Sequence, residues 1–191
     1  FMGWSDGKMD LTRHEEGVKG NLTLTASLCR PYALPYVENF ERPTMPDFWR
    51  SEDKSPLDKG KKSNGKFRIV AKGMADYELR IELDKLVHSQ VHAVLLSPPI
   101  ALEGVSNGLT LRYRASWSGS YTWHADEKQV GYRFDGMGSW TYADMEEDGK
   151  LSLESAALAG KKYVEFCWEI KVLEAPGLLT PVSIDNILVI E

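Results

Sequence analysis

Apolar and polar residues alternate with a period of two in several separate stretches, the mark of strands with one buried face. Leu109, Leu111, Tyr113, Ala115 and Trp117 alternate with Thr110, Arg112, Arg114 and Ser116. Val130, Tyr132 and Phe134 alternate with Gly131, Arg133 and Asp135, and Val164, Phe166, Trp168 and Ile170 with Glu165, Cys167 and Glu169. Leu22, Leu24, Ala26 and Leu28 alternate with Thr23, Thr25, Ser27 and Cys29, which predicts a strand with Cys29 on its polar side. The run from Val182 to Ile190 is apolar on both sides, so the last strand is expected to be central in a sheet. Shorter strands are expected at Tyr36 to Phe40, Phe67 to Ala71 and Tyr77 to Leu83, with a polar loop from about Ser51 to Lys66. Between Leu83 and Leu96 the first half fits helix or strand. The β-branched residues and the stop at Pro98-Pro99 favour strand from Ala93 to Ser97. Many short strands between Gly, Pro and Asp turns, with little helix and no sequence repeat, predict an all-β sandwich.

A length of 191 residues suits one domain. The net charge of −5 opposes nucleic-acid binding. The one dense basic run, Asp58 to Lys66, is rich in Gly, Ser and Asn and reads as a solvated loop. No apolar window of about 20 residues is present to span a membrane. The opening Phe1-Met2-Gly3-Trp4 fits an excised or processed fragment, so the missing signal peptide says nothing about export. Residues 1–33 are expected to be an N-terminal extension or the remnant of an upstream module, and residues 34–191 the sandwich domain. Cys29 and Cys167 fit one disulfide or two free thiols equally well.

Four segments then occur in a telling order. They are Leu34 to Glu41 with Pro46 and Trp49; Val94 to Ile100 with Leu109 to Tyr113; Val130 to Gly136 with Trp140; and the closing Ser183 to Ile187. Together they resemble the cleaved-adhesin or choice-of-anchor type domains of Bacteroidetes surface proteins, relatives of the MAM domain. The resemblance implies a two-sheet jelly roll, MAM-like or concanavalin-like, displayed outside the cell as one module among several. It also implies binding of proteins or glycans, or a spacer role beside enzymes, with structural calcium in several members. The chain departs from the pattern where Met137 interrupts Asp135-Gly136-Met137-Gly138-Ser139-Trp140, and the Ser116–His124 loop has no counterpart there.

In a jelly roll the first and last strands lie side by side. That would bring Glu38 or Glu41 near Asp185 and Asn186, a set of oxygens suited to calcium. Asp185 sits in an apolar run and needs a cation, a basic side chain or backbone N–H donors. Trp117, Tyr121 and Trp123, with Arg114 and His124 close by, are the candidate sugar platform. Trp117 also continues a buried alternation, so Tyr121 and Trp123 are the expected exposed pair. His88 and His92 have helical zinc spacing but no third ligand, and read as surface histidines. Glu165 and Glu169 share a strand face at roughly 13 Å, too far for a glycosidase couple. No G-x-S-x-G or H-E-x-x-H motif occurs. The expected role is a non-catalytic, secreted or cell-surface module that binds a glycan or a partner protein. A purely structural spacer beside a carbohydrate-active enzyme is the alternative, with a glycoside-acting enzyme behind it.

Overall fold

The computed structural model describes residues 3–5, 12–56, 65–74, 76–81, 90–117, 125–173 and 181–191. In chain order the strands are β1 (Gly3–Trp4), β2 (Ala26–Ser27), β3 (Tyr36–Glu38), β4 (Arg50–Asp53), β5 (Phe67–Gly73), β6 (Asp76–Ile81) and β7 (Val91–Leu96). They continue with β8 (Ile100–Ala101), β9 (Leu109–Ser116), β10 (Glu127–Phe134), β11 (Thr141–Asp144) and β12 (Asp148–Leu153). A one-turn helix, Ser155–Leu158, precedes β13 (Tyr163–Val172) and β14 (Val182–Ile190).

Two six-stranded antiparallel sheets stack face to face. The first runs β11-β10-β13-β7-β4, with β8 also on β13; the second runs β12-β9-β14-β6-β5, with β3 also on β14. From β8 onward the chain changes sheets at almost every connection, as in the expected jelly roll. The doubly apolar β14 is central, as its sequence predicts. β9 shows the cleanest pattern. Leu109, Leu111, Tyr113 and Ala115 point inward and are buried, while Arg112, Arg114 and Ser116 are exposed. Trp168 of β13 lies at the centre of the core, 5.8 Å from the rings of both Trp49 and Tyr113.

Two local devices stand where backbone pairing fails. Pro98 and Pro99 have no N–H to donate, and the ladder between β7 and β8 breaks there. The Ser97 hydroxyl fills the gap by accepting the Phe166 N–H at 2.9 Å while donating to the Pro98 carbonyl at 2.8 Å. Phe40, fully buried, takes a left-handed φ of 53°. Its N–H donates to the buried Glu38 carboxylate at 2.9 Å, and Arg42 pairs with the same carboxylate at 3.2 Å.

Two expectations fail. The Leu22–Leu28 stretch is not a strand with a buried face. Only Ala26–Ser27 pairs, with Gly3–Trp4 in a separate two-stranded sheet, and Leu22 and Leu28 are exposed. The alternation has no neighbouring strand of the sandwich to pack on. The polar loop expected from Ser51 begins with strand residues instead, because β4 is an edge strand pairing only with β7 and tolerates a polar sequence. The open Leu83–Leu96 stretch is strand from Val91 onward.

Candidate functional site

The outward face of the first sheet concentrates the chemistry. On its central strand, β13, the inward residues Val164, Phe166, Trp168 and Ile170 belong to the core. The residues between them point outward, yet Glu165, Cys167 and Glu169 are buried as well. A buried carboxylate is costly unless it is paired and hydrogen-bonded. Here the cross-strand neighbours supply the partners. Arg133, opposite Glu165 on β10, donates from Nε to Glu165 Oε2 at 2.9 Å. Arg50 of β4 brings Nη2 to 3.9 Å from Glu165 Oε1. His92 of β7 places Nε2 2.5 Å from Glu169 Oε1, and Lys171 Nζ lies 3.3 Å from the same oxygen. Lys171 also pairs with Glu127 at 2.9 Å.

Aromatic rings flank this network. The Arg133 guanidinium stands 4.6 Å over the Trp140 ring, and Trp140 packs on an outward apolar cluster of Val94, Leu96 and Cys167. Tyr142 of the edge strand β11 is opposite Gly131, which is in turn opposite Cys167. The lack of a side chain at Gly131 leaves the space the Tyr142 ring fills. Tyr142 lies close enough to Glu169 to favour its charged form.

The electrostatics follow from these contacts. Burial alone would raise the Glu169 pKa, but the hydrogen bonds from Tyr142 and His92 and the charge of Lys171 outweigh it and hold the carboxyl below its usual range. An ionised carboxylate only accepts, so the proton shared with His92 sits on Nε2. Burial, reinforced by Glu169, pushes Tyr142 upward. Burial, with Glu169 beside it, takes the Cys167 thiol up to about 12. Burial lowers Arg50, against the opposing pull of Glu165 and Glu52. Glu165 and Glu169 are four residues apart on one strand, roughly 13 Å, beyond the roughly 5–10 Å of a glycosidase couple. Both are also held in ion pairs. The face therefore presents fixed donors, acceptors and rings rather than an acid–base couple.

The residues expected from sequence fall elsewhere. Tyr121, Trp123 and His124 lie outside the described residues, as does His88. Arg114 points outward from the second sheet, opposite Asp185 on β14 and Asp148 on β12. Trp117 instead packs against the core, with Lys128 Nζ 5.3 Å over its ring. Arg114 and Trp117 thus do not share a surface, because they sit at odd spacing along one strand direction. His92 is no plain surface histidine, since its ring is hydrogen-bonded to Glu169.

The proposed calcium ligands separate in the same way. β3 does pair with β14 as expected, with Glu38 opposite Ile187. Ile187 belongs to the core, so Glu38 points inward, while Asp185 is level with the outward Arg114. Glu38 already holds Arg42 and the Phe40 N–H. Asp185 accepts the Asn186 N–H at 2.7 Å, and Asn186 has a left-handed φ of 51° at a bulge between β14 and β9. Glu41 is exposed and close enough to Asp185 to act on its charge. Glu38, Asp185 and Asn186 therefore do not form one ligand shell. Among the described residues no group of three or more His, Cys, Asp or Glu side chains is placed to hold a metal ion. Cys29 and Cys167 are separate thiols, the first half-buried and the second buried under Tyr142 and Trp140 on the first sheet.

His92, Arg133, Trp140 and Tyr142 were not read from sequence as a site. The signal in the sequence was the pair of glutamates flanking Cys167 on the polar side of the Val164–Ile170 alternation. Their partners come from other strands, and register is not visible in the linear pattern.

No protein-family model matches the chain, and no curated protein sequence does. Among solved structures it is similar to the K1 cleaved adhesin domain of Lys-gingipain from Porphyromonas gingivalis, at 14% identity and a TM-score of 0.46, covering 81% of this chain and 96% of that one. It is similar to carbohydrate-binding modules of the β-sandwich superfamily, at 11% identity and a TM-score of 0.49, covering 88% of this chain and 66% of that one. It is also similar to a xylan-binding domain from Paenibacillus barcinonensis, at 11% identity and a TM-score of 0.40, covering 84% and 96%. The neighbours of this sandwich thus include cleaved adhesin domains and carbohydrate-binding modules.

Proposed function

We propose that the chain is a non-catalytic glycan-binding module, secreted or displayed at a cell surface, and that the outward face of the first sheet is its binding face. One observation carries this reading: Glu165 and Glu169 are buried on an outward sheet face and fixed by Arg50, Arg133, His92 and Lys171, next to Trp140 and Tyr142. A sugar offers a ring of hydroxyls and an apolar C–H face. The partly exposed Arg133 and His92 side chains suit the hydroxyls, and a tyrosine ring on an edge strand suits the C–H face. The cations Arg50, Arg133 and Lys171 are already paired with carboxylates, so neutral polysaccharides fit better than uronates. No helix of the described residues is long and apolar enough to cross a membrane.

The test is affinity electrophoresis through gels containing mannan, xylan or β-glucan, with wild type, Tyr142→Ala and Trp140→Ala. At least one polysaccharide should retard the wild type. Tyr142→Ala should weaken that binding about tenfold, or about 1.4 kcal/mol. Retardation by none of them, with the protein folded by circular dichroism, would leave the structural-spacer alternative.

A further inference from the structure

A second groove lies at the end of the sandwich where the chain enters it. Tyr32 forms its floor, its ring edge to face with that of the buried Tyr36, with centroids 5.3 Å apart. Two depressions of about 470 and 530 Å³ share Tyr32 and Ala33, one on each side. Each falls within the roughly 300–1,000 Å³ of small-ligand clefts. The floor is rigid. The Tyr32 N–H donates to the Pro99 carbonyl and the Ala101 N–H to the Tyr32 carbonyl, both at 2.8 Å, which ties this segment to β8 of the first sheet. Tyr36 pairs with Val189 of β14 in the second sheet, and Trp49 Nε1 donates to its hydroxyl at 2.8 Å. The groove therefore bridges both sheets and owes its shape to backbone pairing, not to a loose loop.

The walls carry both signs of charge in balance. Arg30, Glu103 and Lys162 border one depression, and Glu38, Arg42 and Asp47 the other. Across the two depressions three cations stand against three carboxylates, so the groove as a whole carries no net charge. Donors and acceptors instead stand around an aromatic floor, which is the complement of a neutral, hydroxyl-rich ligand. We propose that this groove is a second binding site for neutral oligosaccharide, distinct from the sheet face, with one stretch of the ligand on each side of Tyr32. The proposal rests on the glycan-binding reading of the chain but uses none of the residues of the sheet face.

Calorimetric titration with mannohexaose, xylohexaose and cellohexaose tests it, using wild type, Tyr32→Ala, the exposed pair Asp47→Ala with Lys162→Ala, and Tyr142→Ala. The expected wild-type stoichiometry is two for at least one of the three sugars. Tyr32→Ala should remove one site, and the paired rim substitutions should weaken that site at least fivefold without loss of melting temperature. Tyr142→Ala should weaken the other about tenfold. Stoichiometry and affinity unchanged in Tyr32→Ala and in the rim variant, with binding weakened in Tyr142→Ala, overturns the groove and leaves the sheet face standing. Binding lost in the groove variants but intact in Tyr142→Ala supports the groove and overturns the sheet face. No binding of any of the three sugars by wild type overturns both.

Discussion

The ring of Tyr113 lies across Gly149 of the neighbouring strand, so close that a Cβ at position 149 would fall 1.9 Å from the ring. The glycine lets an inward tyrosine lie flat over the β9–β12 pair and meet Trp168 edge-on at 5.8 Å. The Tyr113 hydroxyl also accepts the Glu146 N–H at 3.3 Å, and burial pushes its pKa up to about 12. Gly149→Ala should therefore destabilise the fold by at least about 1–3 kcal/mol, the usual cost of overpacking a core. Urea unfolding measures this; a loss below about 0.5 kcal/mol would show that the ring moves freely.

Gly131 repeats the arrangement on the outward face, with a different expected result. A Cβ there would meet the Tyr142 ring at 2.8 Å and Cys167 Sγ at 2.9 Å. Tyr142 is on an edge strand and 40% exposed, so it can swing outward. Gly131→Ala should cost less stability than Gly149→Ala but weaken polysaccharide retardation severalfold. Unfolding and affinity gels run on both variants would separate the two effects.

Glu169 makes the stability of the fold depend on acid. Its folded pKa is depressed, so its contribution is fully present above its ordinary value of 4.5. That contribution is lost as the pH falls through the lower folded value. Glu169→Gln should lower the melting temperature at pH 7 and flatten its decline as the pH falls below about 4.5. Parallel declines in wild type and variant would show that Glu169 is not coupled to His92, Tyr142 and Lys171.

Asp185 has the opposite sign. Burial is the main cause of its raised pKa, with Glu41 and Glu78 adding to it and the Asn186 N–H and Lys72 opposing. A carboxyl with a raised folded pKa costs stability when ionised, and the cost disappears below the unfolded value of 3.8. Asp185→Asn keeps the acceptor for the Asn186 N–H. It should raise the melting temperature at pH 7, with no gain below about pH 3.8. Calcium and EDTA should leave the wild-type melting temperature unchanged. A reversible drop in EDTA, with Asp185→Asn less stable, would place a calcium at Asp185, Asn186 and Glu41 after all.

The cysteines should differ in reactivity. Cys29 is half-buried, whereas Cys167 is fully buried with its thiol near 12. A chromogenic thiol reagent at pH 8 should label one cysteine in the native protein and two in denaturant. No label in denaturant would mean that the two have formed a disulfide.

Local pattern alone was enough for much of the sandwich. The alternations in β9, β10 and β13 and the doubly apolar β14 follow from side chains that must reach a core on one side or both. The alternation holds cleanly in β9, and the apolar residues of β10, β13 and β14 do line the core, but β13 is buried on both faces rather than one and β10 does not alternate in burial. The same logic failed for Leu22–Leu28, where no sandwich strand lies alongside, and for β4, whose polar residues need only one neighbour. The pairing of the first sandwich strand with the last was also legible, through the resemblance.

Which face each polar residue serves was decided by register, which only the tertiary structure sets. A register one residue away from the observed one would turn every side chain to the other side. The observed registers place Glu38 inward and Asp185 outward, and bring Arg133, His92 and Tyr142 from three strands onto two glutamates of a fourth. By itself the sequence determined that this chain makes strands and which apolar residues of β9, β10, β13 and β14 turn toward the core. The pairing of those strands, a balance of contacts between residues far apart in the chain, decided where charged and aromatic side chains meet, and so where the chain presents a face to bind with.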